Sequence, residues 1–148
     1  MVQRAAGTTG VTVEGFRQIM RDSLPFAAAF GAEIIEMGEG RAVAALPFKS
    51  DFLRPGGTIG GPLLMMLADL VVYAAVLSAI GPVELAVTTS LTINFLRKPP
   101  PAAIRAEAKL LKLGSRLAVG EVALFTQGDG EMVAHVVATY SIPPRHRR

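Results

Sequence analysis

Residues 63–80 read LLMMLADLVVYAAVLSAI, an apolar run with a single ionisable member, Asp69. Such a segment has two homes, a bilayer or the inside of a protein. In a spanning helix a carboxylate near the centre costs roughly 2.5–3.5 kcal/mol, which the apolar or small neighbours of Asp69 can outweigh. The rest of the chain therefore decides. It reads as alternating, half-buried strands that need something to cover, and a helix apolar all round is expected when a sheet wraps it. The run is read as a buried helix and not as a membrane span. The composition fits that reading: 51% of the 148 residues are hydrophobic and only 18% charged. A soluble chain of this size cannot hide so much apolar surface in an ordinary core, so the excess goes into one internal element and into partner surfaces.

Other classes fall away quickly. There is no cysteine, which excludes disulfides, thiolate metal sites and a cysteine nucleophile. Of the two histidines, His146 sits near the C-terminus, so a histidine-rich metal site is also out, and no metal or cofactor is expected. Lys and Arg number 15 against 12 Asp and Glu, but Arg145, Arg147 and Arg148 account for the excess. The body is neutral, and residues 143–148 form a basic tail read as solvated and not as a nucleic-acid or membrane-binding arm. The first ten residues carry no apolar core of a signal peptide, which fits a cytoplasmic protein.

The chain reads as one domain over 1–148. Residues 11–24 form an amphipathic helix with Phe16, Ile19 and Met20 at helical spacing, limited by Pro25. Residues 32–37 and 41–48 form a hairpin around Gly38-Glu39-Gly40. A glycine-rich loop, 50–61, leads to Pro62 at the start of the long helix, which stops near Gly81-Pro82. Residues 84–97 alternate, with Leu85, Val87, Leu91, Ile93 and Phe95 on one face and Thr88, Ser90, Thr92 and Asn94 on the other. Strands at 103–113, 116–126 and 131–142 follow, the first two joined at Gly114-Ser115. Alternation in 116–126 changes phase at Gly120, which suggests a bulge there. Helix, two strands, long helix and four strands make an α+β domain, a curved antiparallel sheet around one central helix. Its open edges favour dimerisation.

Several segments, in this order, resemble the hotdog-fold acyl-CoA thioesterases of the phenylacetate-degradation and 4-hydroxybenzoyl-CoA type. They are Phe52-Leu53-Arg54-Pro55-Gly56-Gly57-Thr58-Ile59-Gly60-Gly61, Leu67-Ala68-Asp69, Thr88, Leu91-Thr92-Ile93-Asn94-Phe95-Leu96-Arg97 and Leu113-Gly114-Ser115-Arg116, closing with Gly128-Asp129-Gly130 and the stretch 134–140. The resemblance implies a hotdog fold and hydrolysis of an acyl-CoA thioester to free acid and coenzyme A. In the family pattern the loop carries Asn or Gln, then Gly, then His-Gly-Gly opening the helix, then an acidic residue two turns in. Gly57, Gly61 and Asp69 agree with it. Arg54 stands in place of the amide, Gly60 in place of the histidine, and Pro62 in place of the second glycine.

The residues themselves suggest what each can do. Burying an unpaired carboxylate is costly, so Asp69 needs either a partner, such as backbone or its i+4 neighbour Tyr73, or a chemical role. That role would be attack on a thioester carbonyl, or removal of a proton from attacking water. Gly61 would offer its N–H to an oxyanion at the helix N-terminus, or would simply permit a tight turn. The resemblance gives Thr88 a hydroxyl role beside the acid; as a plain strand threonine it would face solvent. Arg54, Gly57, Gly60, Tyr73, Asn94, Arg97 and Arg116 are the candidate substrate contacts, with Arg97, Lys98 and Arg116 suited to phosphate. His135 reads as a packed or edge histidine and Met65-Met66 as core filler. Gly61 and Asp69 are about 12 Å apart along one helix, too far to meet one carbonyl. If both act, they come from different subunits of a homodimer, or of a tetramer made from two such dimers. Two other readings stand beside hydrolysis: a non-catalytic acyl-CoA-binding hotdog protein, and a hydratase or dehydratase, which lacks its loop histidine here.

Overall fold

The computed structural model describes residues 10–144, so Arg145, Arg147 and Arg148 of the basic tail and the residues before Gly10 lie outside the described residues. Helix α1 spans Val13–Ser23. The Thr12 hydroxyl accepts the Gly15 N–H at 3.1 Å and caps it, and Phe16, Ile19 and Met20 bury its apolar stripe. Pro25 does more than stop this helix. It supplies the first residue of a second, short helix, α2 (Pro25–Phe30), which the sequence pattern did not announce. Strands β1 (Glu33–Gly38) and β2 (Arg41–Leu46) form a hairpin. Glu39 and Gly40 make its tip, both at positive φ (53° and 79°), as a two-residue turn of this hand requires.

The loop at 50–61 has structure of its own. Two-residue strands β3 (Leu53–Arg54) and β4 (Thr58–Ile59) pair around Pro55-Gly56-Gly57. The Gly57 N–H donates to the Arg54 carbonyl at 3.0 Å, and Gly56 holds φ 95°. Proline second and a left-handed glycine third is the arrangement of a type II turn. Helix α3 (Gly61–Ile80) follows, then β5 (Val87–Phe95), β6 (Ile104–Leu113), β7 (Leu117–Thr126) and β8 (Met132–Ser141).

Six strands form one antiparallel sheet in the order β1-β2-β6-β7-β8-β5, curved around α3. This is the hotdog fold. The central helix has no solvent face along most of its length: 72% of its most apolar window is buried, as in a core helix of a soluble domain. Small inward residues make room for it, among them Ala106, Ala108, Ala118, Ala134 and Ala138. The one buried hydroxyl on the helix's last turns, Ser78, accepts the Gly40 N–H at 2.9 Å and donates to the Ala75 carbonyl at 2.7 Å.

Two strand expectations need correction. Strand β7 alternates without a break, and the bulge sits opposite it, between Leu110 and Lys112 of β6. Gly120 is there for closeness: a Cβ would lie 3.3 Å from the Lys109 carbonyl oxygen and 3.4 Å from Val72 of α3. Strand β5 does not keep one apolar face. A register shift between Thr88 and Ser90 inverts the alternation, so Leu85 and Val87 point outward while Leu91 and Ile93 point in. The same bulge turns Thr88 toward the helix.

Candidate active site

Asp69 lies two turns into α3, half-buried where the helix passes under β5 and β8. Its Oδ1 accepts two hydrogen bonds, from Thr88 Oγ1 at 2.5 Å and from the Tyr140 hydroxyl at 2.9 Å. The Tyr140 oxygen is also 3.0 Å from Asp69's own carbonyl, so one phenolic proton is shared between two acceptors. No described residue hydrogen-bonds Oδ2. Thr88 and Tyr140 are cross-strand partners, which is why their hydroxyls converge on one oxygen.

Tyr73, one of the two partners considered for a structural Asp69, does not bond to it. Tyr73 instead donates to the Glu84 carbonyl at 2.8 Å. Its ring stacks on Tyr140 with centroids 6.1 Å apart and planes 12° from parallel, and Phe16 of α1 meets it edge-on at 5.6 Å. Partial burial, with the charge of Glu84 adding to it, pushes the Tyr73 phenol up to about 12. Burial pushes Tyr140 above the ordinary tyrosine range, reinforced by the neighbouring Asp69 charge. Both phenols are therefore donors throughout the neutral range.

Asp69, Thr88, Tyr73 and Tyr140 share a cleft of about 580 Å³ whose other walls include Leu24, Phe26, Met65, Met66 and Leu91. Both methionines line the cleft: Met65 is exposed and not core filler, while Met66 also packs against the core as expected. A second cleft, about 520 Å³, gathers Arg54, Gly61, Arg97 and Lys98 around Phe95 and Pro99. Arg97 also pairs with Glu131 at 3.4 Å. Gly61 is the first residue of α3, and its N–H bonds to no described residue. A Cβ on it would lie 3.0 Å from Phe95 Cζ, so any larger residue here requires that ring to shift. Gly60 is under no such pressure, since a Cβ there would meet its nearest neighbours at 3.7 and 3.8 Å.

The predicted site residues therefore divide. Asp69, Thr88 and Tyr73 come together in one cleft, and Arg54, Gly61 and Arg97 in the other. Gly57, Gly60, Asn94 and Arg116 line neither. Asn94 is exposed on β5, and the Arg116 side chain is spent on the Ile142 carbonyl at 3.1 Å. His135 pairs with Glu121 at 3.1 Å, and Glu121 also meets Lys109 at 3.2 Å, forming a cross-strand row away from both clefts. Among the described residues no group of three or more Asp, Glu or His is placed to hold a metal. Tyr140 is the functional candidate that sequence reasoning missed. Its signal was present: the inward series Ala134, Val136, Ala138 ends on a residue whose polar tip needs a buried partner.

The sequence profile of the thioesterase superfamily matches residues 56–133. A Saccharolobus solfataricus protein provisionally named an esterase is 32% identical over 110 residues, covering 74% of this chain and 77% of that protein. The crystal structure of a provisionally named thioesterase from a Silicibacter species is 38% identical, with a TM-score of 0.82 over 96% of this chain and 100% of the other. A point mutant of the phenylacetic acid degradation protein PaaI of Thermus thermophilus is 29% identical, with a TM-score of 0.73 over 80% of this chain and 99% of the other.

Proposed function

Because the chain belongs to the thioesterase superfamily, we propose that it hydrolyses an acyl-CoA thioester to the free acid and coenzyme A, with Asp69 as the reacting carboxylate. The observation that carries this reading is the half-buried carboxylate in an apolar cleft, with Oδ1 held by two hydroxyls and Oδ2 open. Two courses use the same oxygen. In one, Oδ2 bonds to the carbonyl carbon, the C–S bond breaks, thiolate leaves, and water cleaves the resulting anhydride to restore the carboxylate. In the other, Oδ2 takes a proton from water as its oxygen attacks the carbonyl, the C–S bond breaks, and the proton passes to the departing thiolate.

Either course needs a donor for the carbonyl oxygen, and the open Gly61 N–H at the helix start is the one proposed. Asp69 and Gly61 of one chain line different clefts, about 12 Å apart along α3, so the site is composed from two subunits. Strand β5 is an edge of the sheet, and Leu85, Val87, Phe95 and Leu96 on or beside it are exposed, which supports a dimer, or a dimer of dimers, built there. Arg54, Arg97 and Lys98 in the Gly61 cleft would then meet the phosphates of coenzyme A. The enzyme is proposed to act as a single-domain, soluble, cytoplasmic protein. The second reading, an acyl-CoA-binding protein without turnover, draws on Arg54 and Gly60, which leave the loop without an amide or imidazole.

Thiol release by wild type and Asp69→Ala across a panel of acyl-CoA esters tests this. Release by wild type that vanishes in the variant is expected. Binding without release by wild type would favour the second reading, and equal rates in both proteins would remove Asp69 from the mechanism.

A further inference from the structure

The hydrogen bonds around Asp69 are one-sided, and we propose that Tyr140 is a positioning residue that, with Thr88, pins Oδ1 so that Oδ2 alone meets the substrate. This rests on Asp69 being the reacting carboxylate. A carboxylate in a cleft can turn about its last bond and exchange its two oxygens. Here donors at 2.5 and 2.9 Å both fall on Oδ1, and the Tyr140 contact with the Asp69 carbonyl at 3.0 Å ties the side chain to its own backbone. Tyr140 is well placed to impose a direction. It is 3% exposed, stacked on Tyr73, and Tyr73 is itself anchored to the Glu84 carbonyl. Its burial and the Asp69 charge keep the phenolic proton on, so it serves as a donor and not as an acid. Two hydroxyls on the spectator oxygen fix the carboxylate's orientation in an otherwise apolar wall, while leaving the free oxygen unencumbered.

Tyr140→Phe keeps the ring and its stack and removes only the hydroxyl. The expected result is a kcat about tenfold lower with KM within about twofold, and an acid limb of the kcat–pH profile moved up by about one unit. The sign follows from losing a donor to the charged form, which then takes a proton at higher pH. A purely structural tyrosine would leave the acid limb in place. Asp69→Asn is measured beside it and is expected to release no thiol. If Asp69→Asn works like wild type, the reading of Asp69 fails and this proposal with it. If Asp69→Asn is silent but Tyr140→Phe leaves the limb unmoved, the tyrosine proposal alone is overturned. Should Tyr140→Phe not fold, 3-fluorotyrosine incorporated in a Tyr73→Phe background makes position 140 a stronger donor. The acid limb is then expected to move down, and an unmoved limb overturns the proposal.

Discussion

Replacing Gly61 with alanine tests why a glycine opens α3. The added Cβ would lie 3.0 Å from Phe95 Cζ and 3.1 Å from Cε1, so the ring must retreat by a few tenths of an ångström. Overpacking of this kind costs about 1–3 kcal/mol, and Phe95 is 54% exposed, so its ring can yield and the low end applies. The substitution also relieves the entropic cost of glycine, worth roughly 0.5–1 kcal/mol, and the single variant alone would blur the two effects. A double-mutant cycle separates them, because the backbone contribution cancels between backgrounds. Equilibrium urea unfolding of wild type, Gly61→Ala, Phe95→Ala and the double variant should show Gly61→Ala costing about 1 kcal/mol more with the ring present than with it removed. Equal costs in both backgrounds would refute the packing argument. The backbone N–H survives in every one of these proteins, so the double variant should still release thiol.

Thr88→Val removes a 2.5 Å bond to a carboxylate and sets a methyl group against it. It should destabilise the fold by about 1.5–3 kcal/mol in urea unfolding and lower kcat, whereas Thr88→Ser should retain most of both. Glu121 is held below the ordinary carboxylate value of 4.5, first by its hydrogen bond to His135 and then by Lys109. A depressed carboxyl stabilises the fold above its unfolded value and loses that contribution as pH falls through the folded one. Thermal midpoints of wild type and Glu121→Gln should therefore differ slightly at neutral pH and converge as pH falls below the ordinary carboxylate range, the small size reflecting an exposed pair.

The central helix and its exception were legible because an apolar run around one aspartate admits few solutions, and the strand order followed from alternation and short turns. What alternation could not show was where it changes phase. The bulge at Thr88 and Ser90 turns a threonine read as solvent-facing onto Asp69, and it depends on the pairing of β5 with β8, far apart in sequence. The apparent phase change at Gly120 came from another cause, the need for α3 to approach β7, while the bulge lay on β6. Helix α2 is a single short turn-and-a-half, PFAAAF, too brief for a periodic signal. Arg116 and Asn94 fell in the right motifs, but their side chains go to the Ile142 carbonyl and to solvent, which spacing along the chain does not reveal.

Central to the proposed mechanism is a site made from Asp69 of one chain and the Gly61 N–H of another. Gly61→Pro deletes that N–H at the first helix position, where proline's fixed φ suits the backbone and the half-exposed Phe95 ring must shift to admit it. Homodimers of Asp69→Ala and of Gly61→Pro should each be inactive. Co-expressed and mixed at random, half of the dimers pair one chain of each kind, and each of these keeps one intact site of two. Thiol release per dimer should return to about a quarter of the wild-type rate. A mixture as inactive as its two components would contradict a site shared between subunits.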